Sequence, residues 1–113
     1  MVKKNQLIFL FLCLTFHNTY AQKIYTVNYS SQSDIKVFVV EHESQADLKV
    51  FKVNSKTQAE GNDGLWYFVD YKSKAEKYIY FVDYKSQADL KIFFVDYKSR
   101  AGWKNNNKKH LLY

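Results

Sequence analysis

Residues 77–102 read KYIYFVDYKSQAD followed by LKIFFVDYKSRAG, two thirteen-residue units that align without a gap. Each unit opens on six or seven β-branched and aromatic residues and closes on a polar stretch with one alanine. The apolar spacing is two rather than three and four, which predicts strands and excludes an amphipathic helix.

The same unit recurs outward from this pair. IKVFVVEHESQAD (35–47) and LKVFKVNSKTQAE (48–60) are full copies; KIYTVNYSSQSD (23–34) and LWYFVDYKSKAE (65–76) are fainter ones. The closing acid falls at Asp34, Asp47, Glu60, Glu76 and Asp89, at steps of 13, 13, 16 and 13 residues. The long step holds Gly61-Asn62-Asp63-Gly64, a turn signal that divides the chain into three repeats and three repeats. The protein has no proline, so nothing in its composition interrupts a strand.

Alternation gives each strand two faces. One carries an aromatic, a valine and usually a tyrosine, as in Tyr80/Val82/Tyr84 and Phe93/Val95/Tyr97. The other is aliphatic, as in Ile35/Val37/Val39, Leu48/Val50 and Leu90/Ile92/Phe94. Strands apolar on both faces are normally covered on both sides. The polar half reads either as a tight turn or as a second extended segment; extension is favoured, because six strand residues advance roughly 20 Å and as many are needed to return. On that arithmetic a unit is close to one full circuit. The alanines at 46, 59, 75, 88 and 101 then mark a tight corner. The expected fold is all-β, a single small domain wound from thirteen-residue repeats.

The ends read differently. Lys3 and Lys4, the apolar run Leu7–Phe16 and the small residues Thr19 and Ala21 form the three parts of a secretory signal peptide. Its apolar run is shorter than the roughly 20 residues a membrane span needs. The leader is therefore expected to be residues 1–21 and the domain 22–113, in the periplasm or outside the cell. Cys13 lies in the leader and follows Leu12, not the small residue of a lipoprotein site. It is the only cysteine, so the domain is expected to be stabilised without disulfides. The mature chain would carry a net charge of about +4. Residues 22–97 sum to −1; Lys98, Arg100, Lys104, Lys108 and Lys109 have no acid among them and give +5. A nucleic-acid binder would spread its basic charge over a face, so that partner is not expected.

The recurrent V-D-Y-K-S-Q-A-D, the step GNDGLWYFVDY and the ending R-A-G-W-K then K-K-H-L-L-Y resemble the septoil-knot domain family of exported bacterial proteins. The resemblance covers residues 23–113. It implies a small β domain whose backbone forms a seven-crossing torus knot, and it brings no catalytic residues. The early repeats depart from the consensus: Asn28, Glu41 and Asn54 replace aspartate, and His42 and Ser55 replace tyrosine.

No residue set points firmly to chemistry. In a strand Glu41 and Glu43 point away from His42, which argues against a metal site. The aspartates at 70, 83, 89 and 96 suit paired glycosidase carboxylates by type, but strict repetition favours a repeated backbone cap or a lysine contact. The repeated serines, Ser30, Ser44, Ser73, Ser86 and Ser99 among them, have no histidine at a matching place. Asn28-Tyr29-Ser30 is a glycosylation sequon of no meaning in a bacterium, and Gly61–Gly64 has too few oxygens for calcium.

Most of the nine tyrosines, six phenylalanines and two tryptophans after residue 21 are expected in the core. The other reading of the tyrosines is a stacking surface for sugars or bases beside Lys72, Lys85 and Lys98. In WKNNNKKHLLY (103–113), Trp103 and Leu111–Tyr113 are expected to anchor an exposed loop from Asn105 to Lys109. Lys104, Lys108 and Lys109 are the candidate anion-binding residues, for an envelope or extracellular polyanion. The functional expectation is an exported, non-enzymatic structural or binding protein without cofactor or metal. Polyanion binding through this segment, or an enzyme with an unrecognised site, are its alternatives.

Overall fold

The computed structural model describes residues 22–54 and 63–112. The expected leader, residues 1–21, the segment 55–62 with Ala59 and Glu60, and Tyr113 lie outside them. The strands are β1 (Gln22–Thr26), β2 (Ile35–Val39), β3 (Leu48–Lys52), β4 (Leu65–Phe68), β5 (Lys77–Phe81), β6 (Leu90–Phe94) and the short β7 (Gly102–Trp103).

Six of them close a parallel barrel in the order β4-β1-β5-β2-β6-β3, with β3 pairing back to β4. Consecutive strands of one half of the chain are never neighbours: β5 lies between β1 and β2, β6 between β2 and β3, and β1 between β4 and β5. The first three repeats go once around the barrel and the next three fill the gaps they leave. A unit thus advances a third of a circuit, not the near-full circuit expected from chain length. The arithmetic failed because the polar half is not extended. It folds into a 3-10 turn, as at Lys85–Gln87, where the Gln87 N–H donates to the Tyr84 carbonyl at 3.0 Å.

One residue per strand sets the stagger. Ile24 pairs with Phe68 of β4 and Lys77 of β5; Val37 pairs with Phe81 and Leu90; Ile92 pairs with Val39 and Leu48. Each strand uses its first half for one neighbour and its second half for the other, which tilts the strands steeply. Ile24, Val37, Val50, Trp66, Ile79 and Ile92 form a central ring and are each fully buried. Burial of an aliphatic side chain contributes roughly 1.5–3 kcal/mol, so this ring and the Ile35, Leu48 and Leu90 layer below it are the main source of stability. The aliphatic face points inward up to the strand ends, and the other apolar face is the outer one, not covered on both sides as expected.

Two backbone devices repeat with the sequence. The valine after each strand donates its N–H to a ring-residue carbonyl: Val27 to Ile79, Val40 to Ile92, Val53 to Trp66, Val69 to Ile24, Val82 to Val37 and Val95 to Val50, all at 2.9 Å. The closing acid clamps one residue of the intervening strand. Asp34 clamps Tyr78, Asp47 clamps Lys91, Glu76 clamps Lys23 and Asp89 clamps Lys36. In each, the carboxylate accepts the strand N–H at 2.9 Å and the acid's own N–H donates to the same residue's carbonyl. Of the aspartates at 70, 83, 89 and 96, for which a backbone cap or a lysine contact was the expectation, Asp89 makes such a cap.

The sixth unit has Gly102 where the acid would stand. There β7 pairs antiparallel with β3, Gly102 opposite Lys49. Gly64 passes beneath with φ +82°, and a Cβ on it would stand 2.3 Å from the Lys49 carbonyl oxygen. Lys104 and Asn105 donate their N–H groups to the Asp47 carbonyl at 2.9 and 3.0 Å. The chain then forms a 3-10 helix, Asn106–Leu112, that stoppers the barrel at the strand starts. Leu112 joins the core and its carbonyl accepts from Gln22 Nε2 at 2.6 Å. No helix among the described residues is long and apolar enough to cross a membrane.

Candidate functional site

The outer face corrects the expectation that the aromatics are mostly core. Tyr25, Phe38, Phe51, Tyr67, Tyr80 and Phe93 are half-buried on the barrel's outside, and Tyr25 meets Tyr78 edge-to-face with centroids 6.2 Å apart. The tyrosines that precede the 3-10 turns are largely exposed: Tyr29 67 %, Tyr71 65 %, Tyr84 67 % and Tyr97 66 %. Their position explains it. Each is held in extended backbone with its carbonyl accepting from the turn. The valine two residues earlier is the residue drawn inward, buried at Val27 and Val95 and half-buried at Val69 and Val82.

Two concavities follow from the double winding. The first is an outer groove of about 510 Å³ where β5 and its own turn meet the turn Ser30–Gln32 on one side and β2 on the other. Tyr80, Asp83, Tyr84 and Gln87 come from one unit, Ser30 and Lys36 from the two that flank it. One repeat further on, Ser30 is replaced by Glu43 and Gln87 by Arg100. There Arg100 and Glu43 form an ion pair at 2.6 Å.

The second is the barrel mouth, about 450 Å³, lined by Thr26, Val39, Lys52, Phe68, Phe81 and Phe94. These are the last residues of the six strands. The first circuit supplies Thr, Val and Lys and the second supplies three Phe, so interleaving alternates them around the rim. The buried ring forms the floor. Lys52 Nζ lies 4.5 Å from the Phe94 centroid and 5.5 Å from that of Phe68, so the protein's own ammonium covers two of the three rings.

The family model for the 7(1) septoil knot domain matches residues 21–104. The chain belongs to the septoil knot domain family. No curated protein matches it. In this septoil knot domain the C-terminal helix Asn106–Leu112 lies beyond the matched residues.

The sequence-predicted residues fall as follows. The segment after Trp103 is a docked helix rather than the expected exposed loop. Lys104 is exposed, Lys108 Nζ donates to the Asp89 carbonyl at 2.9 Å, and Lys109 Nζ stands 4.0 Å from Asp63. Trp103 and Leu111 pack half-buried against the core, as expected of anchors. Asp70, Asp83 and Asp96 are exposed and follow strands two barrel places apart, so they do not converge as paired carboxylates. Glu43 is engaged by Arg100 while Glu41 and His42 are exposed, so that triplet is not gathered either. The alanine corner is buried at Ala46 and only half-buried at Ala75, Ala88 and Ala101. The mouth was missed although every thirteenth residue signalled it. The groove had no signal, because its residues come from three units that only the interleaving brings together.

Proposed function

We propose that this septoil knot domain is an exported, non-enzymatic binding protein whose contact surface is the outside of the barrel. The observation that carries this reading is the exposure of Tyr29, Tyr71, Tyr84 and Tyr97 at one repeated position. Tyrosine combines a flat apolar body with a polar tip, which suits it to contact surfaces rather than to solvent. The chemistry of the acids supports a role in holding rather than reacting. Asp34, Asp47, Glu76 and Asp89 spend carboxylate oxygens on backbone N–H groups. The signal-peptide pattern read in residues 1–21 supports a location in the periplasm or outside the cell.

The test is retention of envelope material on the immobilised mature chain, beside a variant with all four tyrosines changed to serine. Material retained by the first and lost by the second is the expected result; equal retention overturns the reading. A second reading, polyanion binding through Lys104, Lys108 and Lys109, is favoured by the absence of any acid after Asp96.

A further inference from the structure

We infer that the groove formed by Ser30, Lys36, Tyr80, Asp83, Tyr84 and Gln87 is a binding site for a neutral, hydroxyl-rich pyranose sugar. This rests on the reading of the outer barrel as the contact surface and gives that surface a ligand class. Three observations converge on it.

The volume of about 510 Å³ lies within the span of small-molecule sites, roughly 300–1,000 Å³. Its aromatic walls, half-buried Tyr80 and exposed Tyr84, offer faces for the apolar C–H side of a sugar ring. Its polar residues cover both halves of hydroxyl chemistry. Asp83 accepts, Lys36 donates, and Gln87 and Ser30 do both. One lysine and one aspartate cancel, so the groove holds no net charge and favours an uncharged ligand over a polyanion.

The equivalent groove one repeat along is the internal control. It has Lys49, Phe93, Asp96 and Tyr97 at the matching places, but the 2.6 Å Arg100–Glu43 pair spans the position where Gln87 and Ser30 leave the first groove open. Two residues therefore separate an open groove from a bridged one.

The experiment titrates the protein lacking residues 1–21 with chitotriose in its fully N-acetylated, uncharged form, and with trigalacturonate as the charged comparator, reading tyrosine ring and backbone resonances by NMR. Chitotriose should shift Tyr80, Tyr84 and Gln87 and bind more tightly than trigalacturonate. Tyr84→Ala and Asp83→Asn, both at exposed places, should each weaken binding about tenfold, the factor for about 1.4 kcal/mol of lost contact. Asn106→Ala, at an exposed place on the C-terminal helix, should leave it unchanged. The double variant Glu43→Ser with Arg100→Gln should add shifts around Tyr97. Tighter binding of trigalacturonate, or chitotriose shifts that spare Tyr80 and Tyr84, would overturn the assignment. Loss of envelope retention in the four-tyrosine variant, together with no chitotriose binding, would overturn the sugar and leave the contact surface standing.

Discussion

The Asp47 carboxylate accepts the Lys91 N–H at 2.9 Å, and the Asp47 N–H donates to the Lys91 carbonyl at 2.7 Å. The same residue also receives the C-terminal segment, with Asn105 Nδ2 3.3 Å from its second carboxylate oxygen. Among the four clamps described, this acid is the buried one, 6 % exposed.

Asp47→Ala should therefore destabilise more than the equivalent change at an exposed clamp. A hydrogen bond to a charged group contributes about 1.5–3 kcal/mol. The Asp47 change should fall at the upper end of that range and the Asp34 change near or below its lower end. Urea midpoints of the two variants check this; equal losses would mean that the tie to Asn105 contributes nothing.

The alanine corner gives a paired prediction. Ala46 is 6 % exposed, so Ala46→Leu should cost about 1–3 kcal/mol through overpacking. Ala88 is half-buried, and its leucine variant should stay within about 0.5 kcal/mol of the parent, as surface changes do. Thermal melts of both variants decide it, and a reversed order would contradict the packing described.

The strand period, the two apolar faces and the recurrence of the closing acid were legible because they depend on local spacing within one unit. Interleaving was not. Ile24 and Lys77 pair directly although 53 residues separate them, and nothing in either unit says which strand will fill the gap between β1 and β2. Chain-length arithmetic favours an extended polar half over a turn; the turn is fixed by the Tyr84 carbonyl and the Asp89 clamp, both contacts made in three dimensions. The exposure of Tyr84 was misread for a related reason: alternation assigns it to the face of Val82, and the backbone leaves the strand before reaching it.

Gly64→Ala should be among the most damaging single changes in the chain. Its φ of +82° disfavours any side chain, and the added Cβ would meet the Lys49 carbonyl at 2.3 Å and the Gly102 nitrogen at 2.9 Å. Strain of this kind costs of order 1–3 kcal/mol before the clash is counted. The expected outcome is a lowered melting point with loss of protection at the Gly102 amide in hydrogen exchange. A melting point equal to the parent's would show that the crossing of β7 over Gly64 is not close.

Charge reversal of Lys104, Lys108 and Lys109 to glutamate separates the second functional reading from the first. If the segment binds polyanions, retention on an acidic polysaccharide should vanish in the variant and weaken in the parent as salt rises. The outer-barrel reading predicts that envelope retention survives the swap. Circular dichroism should confirm that the fold is kept, although the swap removes the Lys108 bond to Asp89.

Tyrosine footprinting tests the central claim most directly. The mature protein would be modified with a tyrosine-selective reagent, free and in the presence of envelope extract, and each site quantified by mass spectrometry. Tyr29, Tyr71, Tyr84 and Tyr97 should react fastest in the free protein and become protected in the extract, while Tyr25 and Tyr78 stay slow in both. Unchanged reactivity of all four in an extract that the protein demonstrably binds would contradict the claim that the outer tyrosines are its contact surface.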